Sequence, residues 1–127
     1  MSLNILMVDD SQTVLDVLER TIHMSGLDVA SLHRASNGQE GLDVLRSTNI
    51  DLVFADINMP VMGGVEMVEN MSRDGLLKSI PVVVVSTEGS ATRIQALRDK
   101  GISGFVRKPF TPESIKAVAL EVLATKA

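Results

Sequence analysis

The stretch Ile80-Pro81-Val82-Val83-Val84-Val85-Ser86-Thr87 decides the fold. Four consecutive valines after Pro81 form a continuous β-branched run and predict a strand over residues 80–85. That run ends directly on two hydroxyl side chains, Ser86 and Thr87. Downstream, Ala91, Ile94 and Leu97 recur at helical spacing and stop near Gly101, and residues 104–107 read as another short strand. Thr111-Pro112-Glu113 opens a last helix, with proline in the first turn, where its missing N–H costs nothing. Ile115, Val118, Ala119 and Val122 line the buried side of that helix.

Upstream the same alternation repeats. Asn4-Ile5-Leu6-Met7-Val8 is a buried-strand run, followed by Val14, Leu15, Leu18 and Ile22 at helical spacing. A weaker strand covers residues 29–34, and the turn-like Ser36-Asn37-Gly38 opens a short helix using Leu42 and Leu45. Residues 51–55 are the third strand. Pro60 and Gly63-Gly64 make a loop, and Val65, Val68 and Met71 mark the next helix. Five strands alternating with five helices imply one α/β domain over residues 1–127, an open parallel sheet covered by helices on both faces through right-handed crossovers.

Composition narrows the function classes. The 127 residues are 45% hydrophobic but only 2% aromatic, so the core is built from aliphatic side chains and methionine. A formal net charge of −4 gives no electrostatic reason to bind nucleic acid or an anionic membrane. No cysteine is present, which removes disulfides, thiolate catalysis and thiolate-bound metals, and two histidines are too few for a histidine metal site. No apolar stretch approaches the ~20 residues that span a bilayer, and no signal-peptide pattern opens the chain, so a cytoplasmic location is expected.

The chemistry collects at the strand ends. The first strand ends in Asp9-Asp10, the third in Asp56, the fourth in Ser86-Thr87 and the fifth in Lys108-Pro109. In a parallel sheet all these ends share one edge, where ligands bind at the reversal of strand order. Three carboxylates brought together repel one another, and either protonation of one acid or a divalent cation relieves the repulsion. An all-oxygen site with room for water suits Mg²⁺. With Lys108 and the Ser86 hydroxyl beside it, the pocket holds the parts phosphoryl transfer needs, and Asp56 is the natural nucleophile because aspartate forms acyl phosphates.

Four segments carry a resemblance: Ile5-Leu6-Met7-Val8-Asp9-Asp10-Ser11, the run from Asp51-Leu52-Val53-Phe54-Ala55-Asp56 through Ile57-Asn58-Met59-Pro60-Val61-Met62-Gly63-Gly64, Val84-Val85-Ser86-Thr87, and Gly104-Phe105-Val106-Arg107-Lys108-Pro109-Phe110. In this order and spacing they resemble the response-regulator receiver domain, and within that family the small chemotaxis regulators of the CheY type. The resemblance implies a flavodoxin-like sheet of order 2-1-3-4-5. It implies that Asp56 accepts the phosphoryl group from a sensor histidine kinase or phosphotransfer protein. Asp10, Asp56 and the Asn58 backbone carbonyl would then ligate Mg²⁺, with Asp9 in or near the shell through water. Lys108 would pair with the phosphoryl group across a cis Lys108–Pro109 bond. Ser86 and Phe105 would form the switch, while Asn58 and Glu88 would tune a slow self-catalysed hydrolysis over seconds to minutes. The fourth helix, fifth strand and last helix would present the switched surface to a downstream protein. Where CheY usually has threonine and tyrosine, this chain has Ser86, which keeps the hydroxyl, and Phe105, which keeps the ring without its polar tip.

Taken singly, each residue has a plainer reading. Asp9-Asp10-Ser11 can cap the first helix, although a cap needs only one acid. Asp56 can be a turn residue, Ser86 a loop hydroxyl and Lys108 a solvated lysine; only their joint placement on one edge argues for a site. His23 and His33 read as surface positions, and Arg93, Arg98 and Lys100 as a solvated face. Among rivals, a flavodoxin would want hydroxyls after the first strand and rings around a flavin, and a P-loop enzyme needs G-x-x-x-x-G-K-[ST], which is absent. A haloacid-dehalogenase-type phosphatase carries its nucleophile after the first strand, not the third. The closer rival keeps the fold: a receiver cut from a longer regulator or hybrid kinase with transcriptional or phosphorelay output.

Overall fold

The computed structural model describes residues 2–56, 63–74, 80–87 and 90–124. Five strands alternate with five helices: β1 (Leu3–Val8), α1 (Gln12–Met24), β2 (Val29–Ala35), α2 (Gly38–Ser47), β3 (Leu52–Ala55), α3 (Gly64–Arg73), β4 (Val82–Ser86), α4 (Ala91–Asp99), β5 (Gly104–Arg107) and α5 (Pro112–Ala124). All pairings are parallel and the strand order is β2-β1-β3-β4-β5, the expected doubly wound sheet.

Strand alternation splits the core into two layers. Leu6, Val8, Val53, Ala55, Val82 and Val84 point toward α2, α3 and α4, whereas Ile5, Met7, Leu52, Phe54, Val83 and Val85 point toward α1 and α5. The valine run is therefore buried on both sides, as a central parallel strand must be. β4 starts two residues later than the sequence predicts. Pro81 has no N–H to give a ladder and contributes only its carbonyl, which accepts from Val53 N at 3.1 Å. The strand instead runs on to include Ser86.

Several local readings hold. Leu15, Leu18 and Ile22 are buried on α1, Leu42 and Leu45 on α2, Val68 and Met71 on α3, and Ile115, Val118, Ala119 and Val122 on α5. Thr111 and Ser114 cap α5 reciprocally, Ser114 N donating to Thr111 Oγ1 at 3.1 Å and Thr111 N to Ser114 Oγ at 2.9 Å. The expected face of α4 is thinner than its spacing suggests. Leu97 is buried, but Ile94 is only half-buried and Ala91 is exposed. Gly101 follows α4 at φ +113°, its N–H bonded to Arg98 O at 3.0 Å, which closes the helix end.

One glycine sets a packing distance. A Cβ at Gly104 would stand 2.8 Å from Val118 Cγ2 and 2.9 Å from Val122 Cγ1, so α5 lies against β5 only because position 104 has no side chain.

Candidate functional site

The ladder continues one residue beyond the strands at the C-terminal edge, and this fixes the site backbone. Asp9 N donates to Ala35 O at 3.0 Å, Asp56 N to Val8 O at 3.0 Å and Lys108 N to Ser86 O at 2.7 Å. The residues following β1, β3 and β5 are thereby held in sheet register before their side chains do anything. The three carboxylates of Asp9, Asp10 and Asp56 offer oxygens that lie within 4.8 Å of one another. Lys108 Nζ stands 3.8 Å from Asp9 Oδ2 and 4.0 Å from Asp56 Oδ1, and the Lys108–Pro109 peptide is cis, as expected.

Burial grades the three acids. Asp9 is 5% exposed, Asp56 half-buried and Asp10 exposed. Burial raises the Asp9 pKa above the ordinary value, the nearby Asp56 charge and the Asp10 carboxyl adding to the effect, while the Ser11 N–H and Lys108 oppose it. Ser11 N donates to Asp9 Oδ1 at 2.9 Å, and Ser11 Oγ in turn accepts from Val14 N at 3.3 Å. The capping reading of Asp9-Asp10-Ser11 is realised by Ser11, and the two acids are brought to Asp56. Ser11 caps α1, Asp9 is held by the Ser11 N–H, and Asp10 is left to face solvent at the pocket.

On the other flank, Ser86 is buried at the end of β4 and shares a sheet face with Val84. Phe105 pairs with Val84 in register and packs half-buried against that same core layer, so Ser86 and Phe105 are neighbours on adjacent strands. Beyond Phe105 a cavity of about 390 Å³ opens between α4, β5 and α5, with Arg98, Arg107 and Glu121 among its walls. Asn58 and Glu88 lie outside the described residues.

The donor set fits a hard divalent cation. Among the described residues carboxylate oxygens converge, and three acids face one ammonium. A separation of up to 4.8 Å exceeds the about 4.2 Å between opposite oxygens on Mg²⁺, so a water in place of one carboxylate suits the geometry. Sequence reading missed Arg34, on β2 near this edge, which spans to α1; an isolated arginine in a weak strand gives no signal in the sequence.

A family profile for the response regulator receiver domain matches residues 5–120. The chain belongs to that family. It is 30% identical over 124 residues to a chemotaxis protein CheY homolog of Campylobacter jejuni, covering 97% of this chain and 94% of that protein. To the chemotaxis protein CheY1 of Helicobacter pylori it is 31% identical, with 97% and 98% covered. Among solved structures it is similar to the chemotaxis response regulator CheY4 of Vibrio cholerae, with a TM-score of 0.85, 29% identity, and 96% and 99% of the two chains covered. The protein is thus a CheY-like receiver domain of two-component signalling, and among the described residues no helix is long and apolar enough to cross a membrane.

Proposed function

We propose that this receiver accepts a phosphoryl group on Asp56, from a histidine kinase or phosphotransfer protein, and passes the change to a protein target. The observation that supports this most is the approach of Lys108 to both Asp9 and Asp56 at 3.8 and 4.0 Å within a cluster of three carboxylates. In the transfer, an Asp56 carboxylate oxygen forms a bond to phosphorus while the bond to the donor's imidazole nitrogen breaks and that nitrogen keeps the electron pair. Mg²⁺, held by Asp10, Asp56 and the Asn58 carbonyl with Asp9 reaching it through water, would neutralise the excess carboxylate charge and that of the phosphoryl oxygens. Lys108 meets a second share of that charge, and the Ser86 hydroxyl donates to a phosphoryl oxygen.

Phe105 follows Ser86 because the two share a sheet face. Its movement would alter the surface of α4, β5 and α5, where a downstream protein would read it. Asn58 and Glu88 would orient the water that hydrolyses the acyl phosphate. The chemotaxis relatives, matched over 94% and 98% of their own lengths, support a CheY-like role. A formal charge of −4 argues against a nucleic-acid role. The same site would serve a receiver within a longer regulator or hybrid kinase equally well.

Incubation with acetyl phosphate, with and without Mg²⁺, followed by intact mass, tests the core of this. A Mg²⁺-dependent phosphoryl adduct should form on the wild type and be absent from Asp56→Asn. Adduct formation that persists in Asp56→Asn, or none in the wild type, overturns the assignment of the acceptor.

A further inference from the structure

We propose that Arg34 is a positioning residue for the acidic pocket, clamping α1 against the end of β2 so that Asp9 is held from both sides. This rests on the phosphoryl-acceptor reading only in taking the pocket to be the working site. The guanidinium reaches three α1 residues that lie one turn apart. Arg34 NH2 donates to Asp16 Oδ1 at 2.7 Å and to Glu19 Oε1 at 3.1 Å, Arg34 Nε reaches Glu19 Oε1 at 3.3 Å, and Arg34 NH1 reaches Gln12 Oε1 at 3.4 Å.

The consequence lies in what adjoins the two ends of the clamp. Ala35, next in sequence to Arg34, accepts the backbone N–H of Asp9 at 3.0 Å. Ser11, next to Gln12, donates its backbone N–H to the Asp9 carboxylate at 2.9 Å. Arg34, Gln12, Ser11, Asp9 and Ala35 therefore close a ring in which Asp9 is fixed by its main chain to β2 and by its side chain to Ser11, the cap residue that leads into α1. The clamp is the only described tie that fixes the distance between those two anchors with charged groups. β2 is an edge strand, paired to β1 alone and less buried than the other strands, so the polar clamp acts beside a thin apolar contact in which Val29 and Leu32 meet the layer of Leu15, Leu18 and Ile22.

An isolated exposed ion pair contributes little, but a planar fork engaging three side chains at once is the geometry in which a surface network does. Lysine in the same place keeps the charge and loses the fork. Removing the clamp should let α1 and β2 part slightly and leave Asp9 loosely aimed, which is the way outer groups affect a metal site.

The test uses Arg34→Met and Arg34→Lys in the full chain, with Mg²⁺ titration by calorimetry and amide hydrogen exchange as separate readouts. Both variants should bind Mg²⁺ several-fold more weakly, less than the roughly tenfold or more lost with a direct outer-shell partner, because Arg34 acts on Asp9 through Ser11 and Ala35. The Asp9 and Ser11 amides should exchange several-fold faster, while amides of β3 and β4 keep their protection relative to global stability measured in urea. Rescue by Arg34→Lys would reduce the effect to charge alone and overturn the clamp. Unchanged Mg²⁺ affinity, or unchanged exchange at those two amides, would overturn it as well, even if the variants were less stable. If the wild type binds no Mg²⁺, the metal reading fails by itself and the two amides still decide the role of Arg34.

Discussion

α1 and α4 flank the same sheet edge and are anchored very differently. α1 leaves the strand that ends in Asp9 and Asp10; it buries Leu15, Leu18, Thr21 and Ile22, is capped by Ser11 and is tied to β2 through Arg34. α4 leaves the strand that ends in Ser86; only Leu97 is buried on it, beside a half-buried Ile94. The acid side of the pocket thus stands on a fixed element and the hydroxyl side next to a lightly moored one. Elements that move are drawn from the low-stability end of a fold, those with few buried apolar contacts. In the proposed switch the carboxylates would stay fixed, and movement would fall beside Ser86 and Phe105, toward the proposed output surface.

Truncating the anchor of each helix tests that contrast most directly. Leu15→Ala should cost about 3–5 kcal/mol of stability, because a fully buried leucine in a packed layer leaves a cavity, while Leu97→Ala should cost about 2 kcal/mol or less at its thinner site. Urea unfolding of both variants measures the gap, and equal losses would break the comparison. A smaller effect probes the other neighbour of β5. Gly104→Ala drives a methyl into Val118 and Val122 and should cost about 1–3 kcal/mol, with α5 bearing the shift. If that substitution is silent, α5 moves as freely as α4 and the mobility is not confined to one helix.

Much of this was legible in the sequence, for a physical reason. A parallel sheet converts the order of strands into a row of strand ends, so Asp9, Asp10, Asp56 and Lys108 could be placed together, and Ser86 on the same edge, without coordinates. The valine run, the buried face of α5 and the proline start of α5 are local patterns and read correctly for the same reason. What escaped depends on distances between elements. The thin anchoring of α4 was hidden because Ala91, Ile94 and Leu97 repeat as a buried face would, yet the helix sits too far out to bury them all. Arg34 was invisible because its partners Gln12, Asp16 and Glu19 belong to another element. The absence of a side chain at Gly104 matters only once α5 is known to cross there.

The smallest expected effect concerns the cost of the fixed side. Asp9 titrates above its ordinary value of 3.8, chiefly because burial disfavours its charge and secondarily because Asp56 is near, against the pull of the Ser11 N–H and Lys108. Between 3.8 and the raised value the native protein holds a proton that the unfolded chain has lost. The unfolded state binds fewer protons there, so stability falls as pH rises through the window, and at neutral pH the ionised Asp9 is a standing cost. Asp9→Asn keeps the side-chain shape and an oxygen for the Ser11 N–H while removing the charge. It should therefore be more stable than the wild type at pH 7 without metal, and the difference should shrink as pH falls toward 3.8. Saturating Mg²⁺ should raise the wild type at pH 7 more than the variant, since a ligand stabilises the native state according to its affinity. Urea unfolding at both pH values, with and without Mg²⁺, measures each of these differences. A variant that is less stable at pH 7 without metal would mean that Lys108 and Ser11 more than repay the burial of Asp9, and that the acid side of the pocket is held by its charges as well as by its packing.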